Sequence, residues 1–574
     1  MASRLPPSAP EPTHRRPRTA WWAAATVGGA VAFFVTVASL WLDRPGLYMD
    51  ETNFVDAALG GHFPHQIYVY QRLGGVPLLI IPYIGTVKAA IYAPIFALWG
   101  VSVSTVRIPA IVISAATLVV TYFMGRQVMG RWSALLVLLM GTCPTFIFMS
   151  KVDWGPIVVA MFLTVLLLLA FLRYLQTGGI GWLWVLAATV LVGVFDKQNF
   201  LWLVVAVGVG ALIVYRRRIW QLARARTRAT LLVVGAFAYC FLFELAFVLP
   251  NLSSGNGSTL SSGGGSSLQE PFSHLAFVWG LYERTVGYSE VLGFFTGHAV
   301  SQPLWIDFQW VFSLAALAVL ALRRRQGPLP EPAVVPARAA VFFVVVFAVM
   351  LIEIAATKQA TGPHHVIELL PYPTLVLLCS TVAVVRSAPA FRSASFAIVG
   401  VGLSVVLVAQ AVSTAQYLSL MQQPSRLSVL FSTAVYRDAA FLNANVGGVD
   451  QVVSAGWGPG TPLFSLACPR DRPKYRDDLW SGGPPDGNGL VQTTFANART
   501  EIETDFGDRP TFLVSVNDVK GSGLPTKLYA NMKLLKAAYA VVYPGRHPTQ
   551  VLTTSAYDIT YFGPGSFHAG SGDC

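Results

Sequence analysis

The chain has 574 residues, of which 54% are hydrophobic and only 12% are charged, and its mean hydropathy is +0.56. Globular proteins that dissolve in water carry about 25% charged residues, so this composition excludes a soluble enzyme and indicates a polytopic membrane protein. The formal net charge of +12 does not indicate a nucleic-acid partner. Residues 419–574 contain as many acidic as basic residues, so the excess lies in the membrane part, where it reports topology and attraction to anionic lipids.

Apolar runs of about 20 residues, the length needed to cross a bilayer, recur along residues 20–418. They predict a transmembrane module of about eleven helices. The predicted spans are 20–42, 106–125, 133–149, 156–175, 181–195, 199–215, 229–250, 304–322, 338–357, 365–385 and 394–418. The first run follows a basic tail, residues 1–19, but has no convincing small-residue cleavage site. We therefore expect it to be a retained helix and not a removed signal peptide.

Basic segments orient the predicted bundle. They are the N-terminal tail and the loops around 125–131, 215–228 and 323–325, and eleven spans place all of them on the cytoplasmic side, as the positive-inside bias requires. This arrangement holds only if the apolar stretch 73–99, which Pro77, Pro82 and Lys88 interrupt, does not cross. We expect that stretch to form helices on the outer membrane surface, within a first outer loop covering 43–105.

Two further extracytoplasmic parts follow. The loop 251–303 begins with a Gly/Ser-rich run and continues with aromatic and polar residues at helical spacing, which indicates a lid with an interfacial helix or, equally, a tolerated surface insertion. Short apolar stretches that alternate with a helical segment predict a C-terminal α/β domain over 419–574. Cys468 and Cys574 are the cysteines on this oxidising side, and neither spacing nor count decides whether they form a disulfide.

Polar side chains collect at the outer ends of the predicted helices. Acids within or next to hydrocarbon are expensive, so they are usually functional or close to the water boundary. Here the acids lie among cations, Lys151 included, and the candidate site residues are Asp50, Glu51, Asp153, Lys197, Lys358, His364 and His365. Such a pocket suits a reaction on a lipid-anchored anion, because a carboxylate can activate an acceptor hydroxyl while cations neutralise a phosphate leaving group.

Each of these side chains also has a structural interpretation. Asp50 and Glu51 could be first-turn acids of a loop helix, and Asp153 could cap the helix that starts near Pro156. Lys197 could extend from a helix end towards water, and the His364–His365 pair could be merely solvated. Asp50 and Asp153 could also hold a divalent cation through oxygen ligands, although no spacing requires a metal or another cofactor.

Three features follow the Asp50–Glu51 pair in a fixed order. They are the stretch GVSVSTVRIP from Gly100 to Pro109, the inner turn GRQVMGR from Gly125 to Arg131, and an acid, Asp153, after the third span. This order resembles the C-type (GT-C) glycosyltransferases that use polyprenyl-phosphate sugars, in particular the protein O-mannosyltransferase and aminoarabinose transferase group. The resemblance covers about residues 20–250 well and the rest loosely.

The resemblance implies a role for each matching position. Asp50 would be the catalytic base, Glu51 its partner, and Asp153 the second-loop acid near the reacting sugar or a metal. Lys197 would contact the lipid phosphate. The later part departs from the pattern with TGPHHVIELLPYP, where His364 and His365, with Lys358 beside them, would take the phosphate-binding place. The first loop departs as well, with GGVPLL, which affects the acceptor side.

The expected function is transfer of a sugar from a polyprenyl-phosphate donor to an acceptor hydroxyl at the extracytoplasmic face of a bacterial cell membrane. The acceptor could be a protein, or a lipid or cell-wall glycan of the envelope. A secondary transporter would instead place its charges at mid-membrane and show repeat symmetry, and the sequence has neither feature. A non-catalytic scaffold that displays the C-terminal domain would not need Asp50 or Asp153.

Overall fold

The structure is a computed structural model. It describes residues 21–62, 71–81, 83–253, 270–298, 300, 305–357, 362–387, 392–455, 460–476, 495–506, 508–516, 526–564 and 566–567. The basic tail, the Gly/Ser-rich run, Lys358 and Cys574 lie outside these residues.

Helices dominate the first 422 residues, as the sequence predicts. They are α1 (Trp21–Ser39), α2 (Met49–Thr52), α3 (Val55–Ala58), α4 (Val87–Trp99), α5 (Val103–Met129), α6 (Ser133–Gly141), α7 (Pro144–Lys151), α8 (Ile157–Thr177), α9 (Ile180–Asp196), α10 (Phe200–Ala225), α11 (Thr227–Ser253), α12 (Glu270–Val286), α13 (Ser289–Thr296), α14 (Trp305–Gln326), α15 (Glu331–Thr357), α16 (Pro363–Val366), α17 (Pro371–Ser387) and α18 (Arg392–Gln422). Among the described residues, eight helical segments are long and apolar enough to cross a membrane. The chain is therefore a multi-pass membrane protein.

The prediction of a helical multi-pass membrane protein is confirmed, while three of the eleven predicted spans fall short of a full crossing helix among the described residues. Ile180–Asp196 and the described apolar part of α11, Thr227–Leu242, are shorter apolar helices. The predicted span 133–149 is split between α6 and α7, because Pro144 begins a new helix after Cys143. A proline at this position has no N–H to continue the preceding helix and suits the first turn of the next.

The connection from α5 to α6 brings the chain back towards its starting side. Gly130 has a φ of +67° and opens a short 3-10 turn, Gly130–Trp132, after which α6 packs against α5 and α1. A Cβ on Gly125 would lie only 2.9 Å from the Cβ of Ser133, so only glycine permits this close approach. The return places the end of α7, and Asp153 after it, beside α2.

The first predicted outer loop is not helical throughout, and the expectation for 73–99 is wrong in its first half. Three strands, β1 (Gln71–Leu73), β2 (Val76–Ile81) and β3 (Ile84–Gly85), form an antiparallel sheet. Leu73 pairs with Val76 across a two-residue turn in which Gly74 and Gly75 both have positive φ, a geometry that favours a hairpin. The second half forms α4, which is too short to be a candidate span.

The C-terminal residues form the predicted α/β domain. A five-stranded sheet has the order β5–β4–β6–β8–β7, with β4 parallel to β5 and β6, and β8 antiparallel to β6 and β7. The strands are β4 (Gln451–Ala455), β5 (Tyr475–Arg476), β6 (Thr511–Val516), β7 (Thr549–Thr553) and β8 (Tyr557–Phe562), and the helices are α19 (Ala434–Asn445), α20 (Gly460–Leu466), α21 (Phe495–Glu501) and α22 (Thr526–Val542). Cys468 is disulfide-bonded.

Cysteine labelling tests the orientation that the basic loops predict. In a background without Cys143, Cys240 and Cys379, which are free thiols, we expect a membrane-impermeant maleimide to label His62→Cys and Asp450→Cys in intact cells. Arg217→Cys and Arg324→Cys should react only after permeabilisation. All four positions are exposed, so access to the thiol does not decide the result. Labelling of Arg217→Cys from outside would contradict the eleven-span orientation.

Candidate active site

The predicted Asp50–Glu51 pair lies on α2, a single turn of helix that follows the end of α1. The backbone N–H of Tyr48, just before α2, donates to a Glu51 carboxylate oxygen at 2.7 Å, and Thr52 donates back to the carbonyl oxygens of Tyr48 and Met49. A helix of four residues has no appreciable stability of its own. The position of α2 therefore depends on the groups packed around it.

Arg107 of α5 is the main anchor of this turn. Its guanidinium binds Glu51 through both nitrogen branches, with Nε 3.0 Å from Oε2 and Nη2 2.6 Å from Oε1. The remaining N–H groups donate to the carbonyl oxygens of Leu42, Pro45 and Gly46. Arg107 and Glu51 are both fully buried, so all five guanidinium donors are used inside the protein. Both carboxylate oxygens of Glu51 are therefore occupied by contacts that fix α2 against α5.

The C-terminal domain holds the other side of α2. Thr461, in α20, accepts a hydrogen bond from the Thr52 hydroxyl at 2.9 Å and donates to the carbonyl oxygen of Met49 at 3.2 Å. Before the domain proper, the ring of Phe431 stacks on Tyr48 with centroids 4.6 Å apart. The helix that carries Asp50 is therefore wedged between the membrane helices and the C-terminal domain.

Asp50 is half-buried and faces the segment after α7. Trp154 Nε1 donates to Asp50 Oδ2 at 2.7 Å, and the backbone N–H of Gly155 donates to the Asp50 carbonyl at 3.2 Å. Burial raises the pKa of Asp50 to about 6, although hydrogen bonds from Trp154 and Tyr48 and the charges of Lys197 and Lys88 oppose that shift. A carboxylate with such a pKa is ionised at neutral pH and more basic than an ordinary aspartate.

Asp153 is buried in an ion pair with Lys88 of α4. Its Oδ2 lies 2.9 Å from Lys88 Nζ, and its Oδ1 accepts the backbone N–H of Val158 at 3.0 Å, in the first turn of α8. Lys88 also donates to the Gly155 carbonyl and lies 4.1 Å from the centroid of the Phe54 ring. Asp153 therefore caps α8, as its structural interpretation predicts, and also pairs with a cation.

Lys197 and His364 meet at the same end of the bundle. Lys197, directly after α9, is buried and donates from Nζ to the backbone carbonyl of His364 at 3.1 Å. The His364 ring stacks on Trp154 at 5.6 Å and is 3.9 Å from the ring of His365. Trp154 thus contacts both Asp50 and His364. The structure therefore brings the predicted base close to the residues predicted to contact the phosphate.

The later half of the predicted lid loop also reaches this place. Its helix α13 sets the Phe294 ring 5.0 Å from that of Trp154, and the Phe295 carbonyl accepts the Ser428 N–H. The first half, the Gly/Ser-rich run, lies outside the described residues, as does Lys358. The lid remains a prediction.

Sequence reasoning missed the partners Lys88, Arg107 and Trp154. Two of them carried a signal: Lys88 is a lone charge within an apolar stretch and Arg107 a lone charge at the start of a predicted span. An isolated charge next to hydrocarbon requires a partner. The sequence alone does not identify that partner, because Lys88 and Asp153 are 65 positions apart.

The sequence also suggests that Asp50 and Asp153 bind a divalent cation. This remains a prediction, and the contacts of Asp153 do not favour it. Both Asp153 oxygens are engaged by Lys88 and the Val158 N–H. Within the described ranges, no group of three or more His, Cys, Asp or Glu side chains is arranged to hold a metal ion. We therefore assign no reaction step to a metal.

Comparison with known proteins gives the fold. No family model matches the chain, and no curated protein matches it in sequence. The oligosaccharyltransferase AglB from Archaeoglobus fulgidus, solved in complex with an inhibitory peptide and a dolichol-phosphate, is similar in structure with a TM-score of 0.51 and 12% identity over 94% of this chain and 74% of its own. That likeness shows that the chain has the GT-C fold, as the sequence resemblance implies.

Two other solved structures are similar with lower scores. ArnT from Cupriavidus metallidurans, bound to undecaprenyl phosphate, has a TM-score of 0.43 and 12% identity, covering 96% of this chain and 100% of its own. The arabinofuranosyltransferase AftD from Mycobacteria has a TM-score of 0.45 and 14% identity, covering 96% of this chain and 40% of its own.

Proposed function

We propose that the protein is a glycosyltransferase that moves a sugar from a polyprenyl-phosphate donor to an acceptor hydroxyl, with Asp50 as the general base. The observation that carries this proposal is the setting of Asp50. It is a half-buried carboxylate with a pKa of about 6, oriented by Trp154 and linked through that ring to His364 and Lys197. This combination of an acid and cations on a GT-C fold supports sugar transfer from an anionic lipid.

The proposed reaction is a single displacement at the anomeric carbon. The acceptor O–H proton moves to an Asp50 carboxylate oxygen while the acceptor oxygen forms a bond to C1. The bond between C1 and the phosphate oxygen breaks, and its electron pair leaves with the polyprenyl phosphate. Lys197 neutralises the charge that develops on the phosphate, and His364, His365 and Lys358 are the further residues that we propose contact the phosphate oxygens.

We place this reaction at the extracytoplasmic face. The basic loops lie at the opposite end of the bundle from Asp50, and the positive-inside bias predicts that they are cytoplasmic. A donor carried on a polyprenyl chain stays in the membrane, so the base must lie at the membrane surface. The acceptor is a protein hydroxyl in the first form of the proposal and an envelope lipid or glycan hydroxyl in the second.

Purified protein in lipid nanodiscs tests the activity. It should release free polyprenyl phosphate from at least one polyprenyl-phosphate sugar when cell-envelope acceptors are added, and a labelled sugar should appear in either the protein or the glycan fraction. Mass spectrometry of that fraction distinguishes the two acceptor classes. If no donor in a set covering common hexoses and pentoses is consumed, the proposal fails.

Lys197→Met tests the phosphate contact, because it keeps the length of the stem and removes the charge. A buried charge next to a phosphate should be worth about 2 kcal/mol or more, so we expect the KM for the donor to rise at least about tenfold. The KM for the acceptor should change little. Donor kinetics equal to those of the unaltered protein would remove Lys197 from the site, and Lys197→Arg, which keeps the charge, serves as the matched control.

The pH profile reports on the base. Because the pKa of Asp50 is raised from 3.8 to about 6, its carboxylate is protonated and inactive below that value. We expect kcat/KM to rise about tenfold per pH unit up to about pH 6 and then to level off. Measurement from pH 4.5 to 8 with one donor gives the midpoint. A profile that is already flat at pH 5 would contradict the assignment of Asp50.

A further inference from the structure

The C-terminal domain has no role in the reaction proposed above, yet one of its side chains binds the turn that carries Asp50. The hydroxyl of Thr461, in α20, donates to the carbonyl oxygen of Met49 at 3.2 Å and accepts the hydroxyl of Thr52 at 2.9 Å. Thr461 is only 3% exposed, so water does not readily replace these two bonds. Thr461 therefore connects the first and the last residue of α2 to the C-terminal domain.

The connection between α18 and the C-terminal domain runs beside the residues that lead into α2. The backbone N–H of Gly46 donates to the carbonyl oxygen of Phe431 at 2.8 Å. A Cβ on Gly46 would collide with the carbonyl group of Ser432. Only glycine therefore fits at position 46 while the two segments stay this close.

The Phe431 ring packs against both side chains that donate hydrogen bonds to the Asp50 carboxylate. These donors are Trp154, from Nε1 at 2.7 Å, and Tyr48. Phe431 stacks on Tyr48 with centroids 4.6 Å apart and meets the Trp154 ring edge-on at 5.8 Å, while the rings of Tyr48 and Trp154 are 5.2 Å apart. Phe431 is fully buried, and close packing of this kind holds side chains in single orientations. Phe431 thus fixes the directions of both donors.

The turn also shares a hydrophobic core with the C-terminal domain. Met49, Phe54 and Val55 are buried in the same cluster as Leu463 of α20. A helix as short as α2 is not stable by itself, so its position depends on the core that buries its apolar side chains. The C-terminal domain is therefore a second anchor of α2, on the side away from Arg107.

We propose that Thr461 and Phe431 are positioning residues for the Asp50 carboxylate, which makes the C-terminal domain a required part of the active site. This inference rests on the proposed function. Misplacing a reacting group by about 1 Å can cost about 100-fold in rate, so the loss of either residue should lower turnover. Binding of the donor should be unaffected, because the proposed phosphate contact is made by Lys197.

Thr461→Val tests this role, because it keeps the shape of the side chain and removes its hydroxyl. In the full-length protein in nanodiscs, we expect kcat per folded molecule to fall about tenfold, while the KM for the donor stays within about twofold. Amide hydrogen exchange of residues 48–53 should become about tenfold faster, because a turn that has lost an anchor opens more often. Thr461→Ser keeps the hydroxyl and should restore both quantities almost to those of the unaltered protein.

Ser465→Ala is the matched control. Ser465 is a second buried hydroxyl of α20, and it donates within that helix, to the carbonyl oxygen of Thr461. Its replacement should lower the unfolding temperature about as much as Thr461→Val does, without changing kcat or the exchange of residues 48–53. Phe431→Leu should lower kcat and speed exchange as Thr461→Val does, and it carries the test if Thr461→Val does not fold.

The inference requires both results in the folded variants. An unchanged kcat, or a fall in kcat without faster exchange of residues 48–53, rejects the positioning role and leaves the proposed function standing. Failure of the unaltered protein to turn over any donor rejects the proposed function, and the positioning of a base with it, whatever the exchange rates are.

Discussion

Asp50→Asn should lower turnover by about 10²- to 10⁴-fold, which corresponds to about 3–5 kcal/mol of activation free energy. The amide keeps the shape of the side chain and can still accept the Trp154 hydrogen bond through its oxygen, but it cannot take a proton at neutral pH. Donor binding should remain close to that of the unaltered protein, because Lys197 is untouched. The measurement is single-turnover release of polyprenyl phosphate, together with the unfolding temperature and donor Kd.

Asp56→Asn is a suitable control for that experiment. Asp56 lies in the same first loop, is 4% exposed and has a pKa that burial also raises to about 6. Arg72 is the charged group that opposes this shift, and we expect replacement of Asp56 to change turnover by no more than a few-fold. If Asp50→Asn turns over at a similar rate to Asp56→Asn, with fold and donor binding intact, Asp50 is not the base, and Asp153 is the next residue to test.

The membrane part of the fold was predictable because hydrocarbon imposes a length on every crossing helix. The runs at 20–42 and 156–175 correspond closely to Trp21–Ser39 and Ile157–Thr177. Residues 71–85 were not predictable in the same way, because the run VPLLII is as apolar as a helix. The Gly74–Gly75 turn, with positive φ at both residues, was the local signal for a hairpin.

The site was predictable as a set of residue types and not as a set of pairs. Asp50, Asp153, Lys197 and His364 do lie at one end of the bundle. Their partners come from distant parts of the chain, since helix packing decides that Lys88 meets Asp153 and that Arg107 meets Glu51. Whether these residues catalyse sugar transfer stays a prediction.

Arg107→Met should destabilise the protein by about 3–5 kcal/mol, the cost typical of breaking a buried ion pair by removing one partner. The substitution leaves the Glu51 carboxylate buried without its cation and removes the donors to Leu42, Pro45 and Gly46. Domains are stable by only about 5–15 kcal/mol, so the unfolding temperature should fall sharply. Turnover should fall too, because the turn that carries Asp50 loses its anchor.

Removing both charges separates the two causes of that loss. Glu51→Met combined with Arg107→Met leaves no lone buried charge, so the double variant should be more stable than the Arg107→Met protein. Its turnover should stay low, because α2 still lacks the contacts that hold it to α5.

Glu51→Gln should lose less turnover than Asp50→Asn, since Glu51 positions the base and does not take the proton. Arg107→Lys keeps the charge but not the five-donor fork, and should be intermediate in stability. An Arg107→Met protein within about 1 kcal/mol of the unaltered one would show that α2 is held by other contacts, with the Thr52–Thr461 hydrogen bond the first to examine.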